Sequence, residues 1–239
     1  MIFNIINSNM GAGEKVVVVF AFFISVTLAI VLHEISHGYA AYWCGDYTAK
    51  FAGRLSLNPL KHFDLIGFLM LATIGFGWAK PVPVDSRNFK DYKKGMTLVS
   101  LAGVTMNLIL AIIFAMLLAI VQLILKASYD TVVSVGFLTY LFLFLQYLCI
   151  YSIVVNLTLM AFNLLPIYPL DGFRLVETYA KPGNKYVNFM MRYGSLILLA
   201  LVLGGNLLGR ISPWLDPLGS YIQWVTNGII NIFSKIFGI

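Results

Sequence analysis

The sequence has 239 residues, of which 60% are hydrophobic and 11% charged, with a mean hydropathy of +0.87. So apolar a composition excludes a soluble domain of this size and predicts an all-α polytopic membrane protein. The formal net charge of +6 does not point to nucleic acid, because the basic residues collect in loops between apolar runs, as membrane topology demands.

Residues 1–15 are a short polar lead with no basic start and no cleavage site, so no removable signal peptide is expected. Residues 16–44 predict a first spanning helix. Residues 45–62 are a connector with Lys50, Arg54 and Lys61. The loose alternation from Tyr47 to Asn58, interrupted by Gly53, predicts a short β-hairpin. Residues 63–78 are apolar but short for a span and contain Gly67, Gly75 and Gly77, which predicts a re-entrant or buried segment. Residues 79–95 carry Pro81, Pro83 and the cations Lys80, Arg87, Lys90, Lys93 and Lys94, a loop at the membrane surface.

A second span is expected over 96–125, a polar turn over 126–131 and a third span over 132–162. Pro166, Pro169, Gly172, Pro182 and Gly183 break the pattern through 163–185. Residues 187–208 predict a fourth span. In 214–237, Gln223, Asn227 and Asn231 recur every four residues, as in a fifth span with one polar stripe or an amphipathic helix lying on the bilayer. The sum is five to six transmembrane or re-entrant segments in one membrane-embedded domain, 1–239. Its catalytic core is expected over about 16–180 and its C-terminal helices over about 187–237. Cys44 and Cys149 both sit in or beside apolar runs and read as packed, reduced thiols.

If 63–78 turns back, segment 45–95 holds eight of the sixteen Lys and Arg residues on one side. Arg174, Lys181, Lys185 and Arg192 fall on the same side. Lys15, Lys126 and Arg210 fall opposite. The crowded side is expected to be cytoplasmic.

The chemistry begins at His33-Glu34-Ile35-Ser36-His37 inside the first span. Residues four apart share a helix face, so His33 and His37 can reach one Zn²⁺. Glu34 stands one step round the helix, where it can take a proton from an activated water. Imidazoles and carboxylates are costly in hydrocarbon, which marks the cluster as functional. Catalytic zinc needs a third protein ligand. Asp171 is the best candidate, because the two prolines of Asn163–Gly172 break the helix at membrane depth, where irregular backbone is tolerated along a cavity. A helix cap is the alternative role for Asp171. Glu177 is a rival carboxylate nearer the polar end, and Arg174 with Glu177 reads either as an ion pair or as support for the ligand carboxylate. His62, among basic loop residues, reads as a surface or supporting residue.

These motifs resemble the site-2 proteases, a family of intramembrane zinc metalloproteases. His33–His37 resembles the family's first motif. Asn163–Gly172 resembles its second, Asn-x-x-Pro-x-x-Pro-Leu-Asp-Gly, in full. Ala102-Gly103-Val104-Thr105-Met106-Asn107 is similar to a third, Ala-Gly-Pro-x-x-Asn, with Val104 in place of the proline. Gly77–Val84 resembles the small branch of the family that lacks PDZ and CBS domains. The resemblance implies one Zn²⁺ per chain on His33, His37 and Asp171, with Glu34 as the base. It also implies a polar role for Asn107 near substrate, for which an oxyanion donor and a purely interhelical hydrogen bond both stand.

The expected function is zinc-dependent hydrolysis of peptide bonds in or near transmembrane segments of other proteins in a bacterial plasma membrane, with the site toward the cytoplasm. The lipid bilayer and a transmembrane substrate are the expected partners. Segment 47–58 or Pro81–Val84 is a candidate edge for an unwound peptide. A metal-ion transporter and a non-catalytic membrane scaffold are the alternatives; a transporter has no need of Glu34, and a scaffold has no need of all four residues.

Overall fold

The computed structural model describes residues 9–64, 66, 67, 70, 77, 79–209 and 211–239. The interior of the expected re-entrant run 63–78, and Arg210, lie outside the described residues.

Three long helices form the core. Helix α1 spans Ala12–Trp43 and α2 is the single turn Thr48–Phe51. Helix α3 spans Tyr92–Ala127, α4 is the short Tyr129–Ser134, and α5 spans Gly136–Asn163. Helix α6 spans Asp171–Tyr179, α7 spans Lys185–Leu208 and α8 spans Pro217–Phe237. Among the described residues α1, α3, α5 and α7 are long and apolar enough to cross a membrane. At about 1.5 Å per residue, α1 and α3 exceed the roughly 30 Å hydrocarbon layer and reach into the interface.

The helix ends follow local chemistry. At the start of α1 the Glu14 carboxylate accepts the Gly11 N–H at 3.0 Å, while Asp91 accepts the Lys94 N–H at 3.1 Å at the start of α3. Helix α1 stops where Gly45 takes φ +106°, a left-handed conformation a side chain would resist.

Small residues let the helices approach. Ala21, Ala29, Ala40 and Ala41 of α1, with Gly103, Ala111 and Ala115 of α3, are all buried. Leu157 and Ile153 of α5 pack with Ala111, Ala115 and Leu118 of α3 and Phe233 of α8, while Val18, Phe22 and Val26 of α1 pack on Tyr151. On the outer surface Ile109, Ile113, Ile120 and Ile124 stay exposed, as lipid-facing residues should. Helix α8 carries Gln223, Asn227 and Asn231 on an exposed face, opposite the residues that pack on α3 and α5.

The expected hairpin over 47–58 is not formed. The Asp46 carboxylate accepts the Thr48 N–H at 3.0 Å and its hydroxyl at 2.5 Å, which starts a helical turn instead of a strand. Gly53, at φ +64°, then reverses the chain. Among the described residues there is no strand, only an isolated antiparallel bridge between Phe63 and Ala79. Beside it the Lys80 N–H donates to the His62 carbonyl at 2.8 Å.

Candidate metal centre and catalytic cleft

Helix α1 carries His33 and His37 on one face, rings edge to face with centroids 4.6 Å apart. Their Nε2 atoms are 3.0 Å apart. Asp171 Oδ2 lies 3.4 Å from His33 Nε2 and 3.2 Å from His37 Nε2. Among the described residues these three form the group able to hold a metal ion, with ligand atoms within 4.8 Å of one another and all three side chains buried.

Carbonyl groups that can only accept fix the tautomers. His37 Nδ1 faces the Val99 carbonyl at 2.7 Å, so Nδ1 carries the proton and Nε2 its lone pair. For His33 the logic runs through three helices. The Asn156 amide donates to the Ser152 carbonyl at 2.7 Å, so Asn156 Oδ1 is the acceptor for Asn107 Nδ2 at 2.8 Å. That leaves Asn107 Oδ1 facing His33 Nδ1 at 2.6 Å, which must therefore be the N–H. Two imidazole lone pairs and a carboxylate oxygen thus converge with no hydrogen between them, and Asp171 Oδ2 is buried without a hydrogen-bond partner. Such a set repels itself unless a cation sits among its members. Two nitrogens and one oxygen, each imidazole held from behind, suit a catalytic zinc with one open position.

Asp171 reaches the histidines because α5 ends at Asn163 and the chain turns through Pro166 and Pro169. It is not the cap of α6: Leu170 holds that position, and Asp171 is the first helical residue. Gly172 makes the turn tight enough, since a Cβ there would lie 2.6 Å from the Leu165 carbonyl oxygen. Tyr186 of α7 donates its hydroxyl to the Pro166 carbonyl and pins the turn from outside.

Glu34 opens onto the same cleft of about 350 Å³ as His33, His37 and Asp171, together with Pro81, Val82, Asn163 and Arg174. Its Oε2 accepts the Val82 N–H at 2.8 Å. Asn107 is fully buried, with its oxygen on His33 Nδ1 and one N–H of its amide on Asn156 Oδ1. His62 is also fully buried, but its Nε2 donates to the Ser56 carbonyl at 2.8 Å and it is not part of the ligand group. Glu177 is absent from the cleft lining, whereas Arg174 lines it, and no ion pair joins the two among the described residues. Cys44 and Cys149 are free thiols.

Sequence reasoning passed over four contributors. Asn156 was visible as a polar residue in an apolar helix. Gly103 was seen only as part of a motif: a Cβ there would lie 2.6 Å from both His33 Nδ1 and His37 Nε2. The Val99 carbonyl and Val82 N–H are backbone groups, which no residue type announces.

Comparison with known proteins agrees with this chemistry. Residues 21–201 match Peptidase family M50. The chain is 39% identical over 220 residues to "Putative zinc metalloprotease YwhC" of Bacillus subtilis, covering 90% of this chain and 91% of that protein. It is 31% identical over 218 residues to the Mycobacterium tuberculosis H37Rv protein Rip2, which bears the same description, covering 87% of this chain and 75% of Rip2. No solved structure matches the chain.

Proposed function

The chain belongs to peptidase family M50, the site-2 protease family of zinc metalloproteases, and from that membership we propose that it hydrolyses peptide bonds in or beside transmembrane segments of other membrane proteins. The observation that carries this reading is the convergence of Asp171 with His33 and His37 on one point beside Glu34, the two histidines and Glu34 lying on a helix long enough to span a bilayer.

In this reading His33, His37 and Asp171 hold one zinc ion per chain. When bound, zinc polarises the scissile carbonyl and lowers the pKa of its water to about 7. Glu34 takes the proton of the attacking water and passes it to the leaving amine. Asn107 acts behind His33, holding the ring in the tautomer that leaves Nε2 free. The whole chain, 1–239, works as one membrane-embedded domain, with the core over about 16–180 and the helices 187–237 beside it. Lys50, Arg54, Lys61, Lys80 and Lys90 all lie in the connection between α1 and α3, which favours a site facing the cytoplasm of a bacterial plasma membrane. That placement supplies the water that peptide hydrolysis requires.

The test is cleavage in proteoliposomes of a peptide carrying a transmembrane helix, beside a soluble peptide with the same scissile sequence. Cleavage of the membrane peptide, abolished by a zinc chelator and restored by added zinc, is the expected result. Preference for the soluble peptide, or cleavage that survives removal of zinc, contradicts the reading.

A further inference from the structure

Between Lys80 and Val84 the chain reads Lys-Pro-Val-Pro-Val. Proline has no N–H, so Val82 carries the single backbone donor between Lys80 and Val84. That donor is aimed at Glu34, 2.8 Å from Oε2.

The segment is held at both ends. The Lys80 carbonyl accepts from Arg54 Nη2 at 2.6 Å, and the Lys80 N–H donates to the His62 carbonyl at 2.8 Å. At the other end the Asp85 N–H donates to Asp46 Oδ2 at 2.8 Å. Asp46 also accepts from Thr48 and, at 2.9 Å, from Asn88. Burial alone would raise the pKa of Asp46. The bonds from Thr48, Asn88 and Asp85 outweigh it and hold the carboxyl below its ordinary range, so this anchor stays ionised at neutral pH.

The middle fits against α1 because of Gly38, one turn beyond Glu34 on the same face. A Cβ at Gly38 would lie 3.2 Å from Val82 Cγ1 and 2.6 Å from Leu55 Cδ2. Val82 is 7% exposed, and with Pro81 and Val84 it forms a wall of the cleft.

We propose that residues 80–85 are a fixed strap whose Val82 N–H orients the Glu34 carboxylate, making Val82 a positioning residue for proton transfer. The inference rests on the protease reading above. One carboxylate oxygen is tied to the strap, and the other is left to meet the water. A side chain with three rotatable bonds is thereby confined to the geometry in which it accepts a proton. The same commitment takes away the donor that pairing of Pro81–Val84 with a substrate strand would need. The prolines pre-set the extended backbone and remove competing donors.

The test replaces the Val82 amide by an ester, through incorporation of the α-hydroxy analogue of valine into the full-length protein; valine inserted by the same route is the control. The side chain is unchanged and only the N–H is lost. The expected result is a fall in kcat of about 10- to 100-fold, the range for a hydrogen bond to a charged group. KM should stay within twofold and zinc content should be unaltered. Arg54→Met, which frees the strap at Lys80, should lower kcat in the same pattern but by less. An ester protein with unchanged kcat overturns the proposal. So does a rise in KM at constant kcat, which would make the strap a substrate contact, and so does loss of zinc. A valine control that binds zinc and cuts nothing sinks the protease reading itself, a result distinct from an active control unaffected by the ester.

Discussion

Glu34→Gln is expected to bind zinc as the unaltered protein does and to cut its substrate more slowly by about 10²- to 10⁴-fold, the range that general acid–base catalysis supplies. The substitution keeps the length and shape of the side chain. Its amide oxygen can still accept the Val82 N–H, which now sits 2.8 Å from Oε2, so the strap stays in place. What is lost is the ability to take and return a proton. Glu34 lies outside the ligand group of His33, His37 and Asp171, so metal content should not follow activity. Elemental analysis and single-turnover cleavage on the same preparation check both halves. Retained cleavage would remove Glu34 from the chemistry, and loss of zinc would place it in the ligand shell.

Gly103→Ala should abolish zinc binding, with affinity down by more than about 100-fold, the upper range for disturbing the groups behind a metal's ligands. Judged by helix propensity alone the change is favourable by about 1 kcal/mol, since alanine suits a helix interior better than glycine. The site decides otherwise. The new Cβ would lie 2.6 Å from His33 Nδ1 and from His37 Nε2, inside van der Waals contact of both rings. Neither ring can move without giving up its bond to Asn107 or to the Val99 carbonyl. Gly136→Ala is the control, because its Cβ meets nothing within 4 Å. The expected signature is zinc lost in Gly103→Ala alone, with Gly136→Ala binding zinc as the unaltered protein does. Normal zinc in Gly103→Ala would mean that the rings stand elsewhere when the metal is bound.

The parts of this site legible in the sequence are those carried by local periodicity or by a broken one. His33 and His37 share a face because a helix repeats every 3.6 residues, and only one helix has to be predicted to see it. Asp171 stands out because Pro166, Pro169 and Gly172 interrupt an apolar region where interruption is costly. What the sequence hides is pairing across long separations. Asn107 and Asn156 are each visible as amides among apolar residues, yet nothing in either helix says that they bond to each other, nor that this bond decides the tautomer of His33. Such interhelical bonds average only about 0.6 kcal/mol, so this one contributes more to the definition of the site than to stability. The hairpin expected over 47–58 shows the opposite error. Alternating residues suggested strands, but Asp46 and Thr48 offered the backbone a helical turn, and a short segment follows its strongest local hydrogen bonds.

The central claim is that two histidines of α1 and one aspartate 134 positions beyond His37 hold a single zinc. The most direct measurement is zinc per chain in the purified protein beside Asp171→Ala, by elemental analysis after exhaustive dialysis. One zinc per chain in the unaltered protein and none in Asp171→Ala is the predicted result. Asp171→Ala that keeps its full zinc complement would contradict the account and place the third ligand elsewhere.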